Sequence, residues 1–91
     1  MPKYVIERKV PGVGKLSPDQ VRFMVQKSCN VLNNLGPEIQ WQQSYVTDDK
    51  IYCVYIAANE DIVRKHAQQG NFPVDSIAEV RQVIDPTSAE M

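Results

Sequence analysis

Read along the chain, 91 residues give the order strand, helix, strand, strand, helix, strand. In a chain of this length that order predicts an α+β domain of the ferredoxin-like kind, β-α-β-β-α-β. Three observations carry the prediction: a helix with clear start and stop signals, a hairpin around an acidic turn, and a second capped helix before a last strand. Four strands then form one antiparallel sheet, with two helices on one face. Residues 1–91 have room for one core, so we read a single domain whose last residues, 85–91, lack apolar content and fray.

Tyr4 to Lys9 alternates, with Tyr4, Ile6 and Arg8 on one side, and reads as the first strand. Val10-Pro11-Gly12-Val13-Gly14-Lys15 is a loop, because proline and two glycines break regular structure. Ser17-Pro18-Asp19-Gln20 starts a helix: Ser17 caps, Pro18 fits the first helical position and Gln20 completes a capping box. Val21, Met24, Val25, Val31, Leu32 and Leu35 recur at helical spacing. Ser28 lies on the same stripe, where a small side chain lets the helix approach the sheet. Gly36-Pro37 ends the helix.

Ile39 to Thr47 and Lys50 to Ala57 read as a hairpin turning at Asp48-Asp49. A two-residue turn sets Tyr45 opposite Tyr52, Gln43 opposite Val54 and Trp41 opposite Ile56, all on one aromatic face. Asn59 caps the second helix, with Glu60 and Asp61 in its first turn. Its inward stripe is Ile62, Val63, His66 and Ala67, and Gly70 ends it. Phe72 reads as a hydrophobic plug in the following loop, and Ser76 to Ile84 contains the last strand, placed at Glu79 to Ile84.

Ten basic residues face eleven acidic ones, net −1, with 43% hydrophobic and 23% charged residues. That balance speaks against nucleic acid and against a polybasic membrane surface as partners. The longest apolar run, Ile51 to Ala58, is far short of the roughly 20 residues a membrane span needs. Cys29 and Cys53 stand apart, with no CxxC or Cys/His cluster, and read as reduced thiols of a cytoplasmic protein.

Few side chains offer chemistry. His66, the single histidine, is a candidate metal ligand or proton shuttle, or else a half-buried helix residue beside Ile62 and Ala67. Gly12-Val13-Gly14-Lys15 before a capped helix looks like a phosphate cradle but is too short for a Walker motif and reads as an ordinary loop. Asp48-Asp49 has the carboxylates for a hard cation and the residue type for a turn. Trp41, Tyr45 and Tyr52 suit a core layer, an interface or a pocket lining.

Several segments carry a family resemblance: Tyr4-Val5-Ile6-Glu7-Arg8, Leu16-Ser17-Pro18, Ser44-Tyr45-Val46-Thr47-Asp48-Asp49-Lys50, Tyr52-Cys53-Val54-Tyr55, His66-Ala67 through Gly70, Phe72-Pro73 and Asp75-Ser76-Ile77. Together they resemble a bacterial family of small ferredoxin-like proteins of unknown function, some described as nickel-binding. The resemblance implies a homodimer with nickel at exposed sites and no enzymatic activity. The family pattern has histidine where this chain has Gln43, and amide is a poor nickel ligand beside imidazole. His66 matches the family's histidine before the Gly-Phe-Pro loop.

The expectation is a cytoplasmic, non-enzymatic homodimer that binds nickel or another divalent transition metal through His66. Two other readings stay open. One is a cofactor-independent enzyme with a pocket between sheet and helices, lined by Trp41, Tyr45, Tyr52 and Cys53 with His66 as base. The other is an interaction module that assembles through its free sheet face or its edge strands.

Overall fold

The structure, a computed structural model, describes residues 1–90. β1 (Lys3–Lys9) runs through the middle of the sheet, and a 3₁₀ turn (Val13–Lys15) leads to α1 (Pro18–Leu35). β2 (Ile39–Val46) and β3 (Lys50–Ala57) form the hairpin, followed by α2 (Glu60–Gly70) and β4 (Ser76–Glu79). The strand order is β2-β3-β1-β4, with every pairing antiparallel. This is the ferredoxin-like arrangement that the element order predicts. Among the described residues no helix is long and apolar enough to cross a membrane.

The core lies between the helices and one sheet face. Tyr4, Ile6 and Arg8 of β1 and Ile51, Cys53, Tyr55 and Ala57 of β3 point into it. α1 starts as its sequence dictates: the Gln20 amide donates to Ser17 Oγ (3.2 Å) and the Ser17 amide donates to Gln20 Oε1 (2.9 Å). Replacing Ser17 with Ala leaves the Gln20 amide without this acceptor. Urea melts of Ser17→Ala are expected to show a loss of about 1 kcal/mol, and an unchanged midpoint would show that the box contributes nothing.

Two details depart from the sequence reading. First, a β-bulge falls between Trp41 and Gln43. Below it the expected register holds, Tyr45 opposite Tyr52 and Gln43 opposite Val54; above it Trp41 pairs with Tyr55, not Ile56. One extra residue reverses the parity of the strand. Trp41 therefore turns to the helix side and parts from Tyr45 and Tyr52. On that side its indole N–H donates to Ser44 Oγ at 2.9 Å.

Second, β4 lies earlier than Glu79 to Ile84. It pairs Ser76–Glu79 with Glu7–Tyr4 of β1, and the Val80 amide donates to the Lys3 carbonyl at 2.7 Å. There β1 runs out, so the later apolar residues have no strand to join; Val83 and Ile84 are each 71% exposed. Pro86–Glu90 forms a 3₁₀ turn, and Met91, the end of the expected tail, lies outside the described residues.

The glycine loop, read as an ordinary loop, packs against the acidic hairpin turn. The Gly12 amide donates to Asp49 Oδ1 (2.9 Å), the Gly14 amide to the Asp48 carbonyl (3.0 Å), and the Lys15 amide to the Gly12 carbonyl (3.0 Å). A Cβ on Gly14 would stand 2.8 Å from the Thr47 carbonyl oxygen, so this glycine allows the close approach of loop and hairpin. The acidic turn and the glycine loop thus satisfy each other.

Candidate functional site

A cavity of about 200 Å³ separates α1 from the inner face of the sheet. α1 contributes Val21, Met24, Val25 and Ser28 to its walls. The sheet contributes Arg8, Trp41, Ser44, Val46, Ile51, Cys53 and Tyr55, while His66 and Phe72 complete the lining. An apolar cavity of about 150 Å³ takes up benzene, so this one has room for a single substituted ring.

The polar groups come from residues forced inward by periodicity. Arg8 follows Tyr4 and Ile6 on the buried side of β1 and is only 4% exposed. Its Nη1 donates to the Pro73 carbonyl at 2.6 Å, and its Nη2 makes a long contact, 3.5 Å, to the Tyr55 hydroxyl. Burial first, then the neighbouring Cys53 thiol, push the Tyr55 hydroxyl up to about 12, with Arg8 pulling the other way. Tyr55 therefore remains a protonated donor across the physiological range.

His66 sits on the inner stripe of α2, as its spacing predicts, but it is fully buried rather than half-buried. A hydrogen bond of 3.0 Å joins its Nε2 to Ser28 Oγ, tying α2 to α1. Its Nδ1 is buried with no hydrogen-bond partner among the described residues. The rings of Tyr55 and Phe72 pack on it at centroid distances of 5.3 and 5.4 Å. Burial, followed by the Arg8 charge, lowers its pKa to about 4, against the opposing effect of the Ser28 hydrogen bond. The imidazole is neutral at ordinary pH.

The remaining candidate residues are dispersed. Trp41 and Cys53 join the cavity, whereas Tyr45 and Tyr52 lie on the opposite sheet face. Gln43 also lies on that outer face, donating from Nε2 to the Tyr45 hydroxyl. Gln43 and His66 thus stand on opposite sides of the sheet and cannot share one ion within a chain. Cys29 is exposed and Cys53 buried, both free thiols. Around His66 stand a hydroxyl, two aromatic rings and a guanidinium, and the charge acting on the imidazole is positive. These surroundings do not suit a divalent cation. No group of three His, Cys, Asp or Glu side chains that could hold a metal occurs among the described residues.

Arg8 and Ser28 are the site residues that sequence reasoning passed over. Each stood on a stripe of buried residues, Arg8 after Tyr4 and Ile6, Ser28 between Val25 and Leu32. A polar residue at a core position was the available signal.

The fold is similar to the crystal structure of SCO4226 from Streptomyces coelicolor A3(2), with a TM-score of 0.75 and 16% identity. The match covers 90% of this chain and 99% of that one. No curated protein sequence matches the chain. A family profile described as nickel responsive protein SCO4226-like matches residues 4–80, nearly the whole folded unit. The chain belongs to the SCO4226-like family of nickel responsive proteins.

Proposed function

We propose that this chain is a small-molecule-binding protein that holds one ring-sized, largely apolar ligand between α1 and the sheet. The cavity beside His66, with apolar walls and a few converging polar groups, is the observation that supports the reading. Binding rather than acid–base catalysis is favoured by the His66 pKa of about 4, which makes the imidazole a weak base near neutrality. Two copies meet through the outer sheet face, where Tyr45 is 56% exposed and the Val83–Ile84 segment leaves a groove beside it.

Trp41 is the single tryptophan and lines the cavity, so its fluorescence reports occupancy directly. Titration with a panel of monocyclic aromatic compounds is expected to give a saturable change for some of them. Val25→Phe, which places a ring in the same space, is expected to abolish it. A panel that leaves the emission unchanged, or a response that survives in Val25→Phe, counts against the cavity as a binding site.

The family match favours a second reading, a response to nickel. In this reading the ion binds away from His66, whose enclosed imidazole beside Arg8 does not suit a divalent cation. Calorimetric titration with Ni²⁺ is expected to give the same heat in the parent and in His66→Ala. No heat above background in the parent would count against the metal reading.

A further inference from the structure

We infer that the cavity selects anions: its ligand is a monocyclic aromatic or similarly sized apolar carboxylate, whose charged end meets Arg8. The inference rests on the binding reading above and adds the chemical class of the ligand.

Arg8 is buried to 4% exposure, yet among the described residues no carboxylate pairs with it. A guanidinium has five N–H donors. Here one meets the Pro73 carbonyl at 2.6 Å and another makes only the 3.5 Å contact to Tyr55. A buried cation without a counter-ion is costly, and a structural arginine in a core is normally paired. The unpaired charge therefore has another use. Arg8 lines a cavity whose other walls are mainly aliphatic and aromatic, where a charge-assisted hydrogen bond is strong.

The surroundings reinforce the sign. Lys27 Nζ lies 5.3 Å from the centre of the Phe72 ring, and the Arg8 guanidinium carbon lies 5.6 Å from it. Two cations thus flank an aromatic residue of the cavity lining. His66 adds no charge while it is neutral, and the Tyr55 hydroxyl stands beside Arg8 Nη2 as a second donor for a carboxylate oxygen. Residual apolar volume of about 200 Å³ accepts one ring with a short acidic arm.

The test compares charge at constant shape. Benzoate and phenylacetate are titrated against benzamide and phenylacetamide at neutral pH, with Trp41 fluorescence and calorimetry as readouts. The carboxylates are expected to bind at least about thirtyfold more tightly than their amides. In Arg8→Met, which keeps the apolar stem, that preference is expected to disappear while amide affinity changes little. Arg8→Lys, which keeps the charge but not the planar fork, is expected to retain part of it.

Equal binding of acid and amide by the parent protein overturns the anion assignment and leaves the cavity reading standing. Binding of neither class overturns both. A carboxylate preference that survives in Arg8→Met also overturns the assignment to Arg8. The parent comparison needs no variant, so a misfolded Arg8→Met does not block the decision.

Discussion

Acidification from about pH 7 to pH 4 is expected to destabilise the protein by about 3 kcal/mol through His66 alone. In the unfolded chain the imidazole takes its proton near pH 6.5; in the folded protein it does so only near pH 4. Between these values the unfolded state holds more protons, so lower pH favours it. The stabilisation is fully present above pH 6.5 and is lost progressively as the pH falls towards 4. The cause is burial, then the Arg8 charge, with the Ser28 hydrogen bond opposing: the ring is fully enclosed and its Nδ1 has no partner among the described residues. A second positive charge beside Arg8 would have no counter-ion.

Thermal melts across this range check the expectation. The parent melting temperature is expected to fall by more than about 10 °C between pH 6.5 and 4. The double variant Ser28→Ala/His66→Leu removes both hydrogen-bonding partners and fills the site with apolar groups. It is expected to stay within about 1 kcal/mol of the parent near neutral pH and to lack most of the acid step. Ser28→Ala alone leaves the imidazole with no partner and is expected to cost about 2 kcal/mol. A parent curve identical in shape to that of the double variant would show that His66 does not govern acid stability.

Gly70→Ala is expected to destabilise by about 3 kcal/mol, the opposite of the usual sign. Alanine at a helical position normally gains about 1 kcal/mol over glycine. Gly70 has no unusual backbone angle; the left-handed residue at this helix end is Asn71, with φ 56°. The obstacle is Phe72. A Cβ on Gly70 would overlap the Phe72 ring, whose Cε2, Cδ2 and Cζ are its nearest neighbours, with even Cζ only 2.9 Å away. The ring packs on His66 and lies near both Arg8 and Lys27, so it cannot yield without disturbing the cavity lining.

A double-mutant cycle with Phe72→Ala, which removes every ring atom that a Gly70 Cβ would meet, separates the two effects. In that background the clash is removed, and Gly70→Ala is expected to cost less than about 1 kcal/mol. Additive losses in the double variant would mean that the glycine acts through something other than the ring. Ring-ligand affinity of Gly70→Ala, measured through Trp41 emission, is expected to fall with stability because Phe72 is part of the cavity lining.

Most of the architecture was legible because it rests on local chemistry. Ser17, Pro18 and Gln20 specify where α1 begins, and the structure has the same capping box. Asn59 caps α2, its side chain accepting from the Ile62 amide at 3.0 Å. Alternation placed Tyr4, Ile6 and Arg8 on one side of β1, and the hairpin turn set the register of Tyr45 and Gln43. These features depend on neighbours within a few residues, so the order of residue types is sufficient to encode them.

The candidate site was legible only in fragments. His66 was chosen for its pKa range, but its burial depends on how closely α1, α2 and Phe72 approach one another. The bulge beside Gln42 separated Trp41 from Tyr45 and Tyr52, and no turn or cap announces a bulge. β4 was misplaced because its length is decided by where β1 ends at Lys3, not by the apolar residues after Glu79.

Periodicity and capping in the chain are thus enough to determine two helices, the first three strands and the order of elements, because each signal is read over a single turn or pleat. That Arg8, Ser28, Tyr55 and His66 surround one cavity was decided by tertiary packing. Residues separated by 38 to 65 positions meet there, and their contacts, burial and charge balance exist only once the helices close on the sheet.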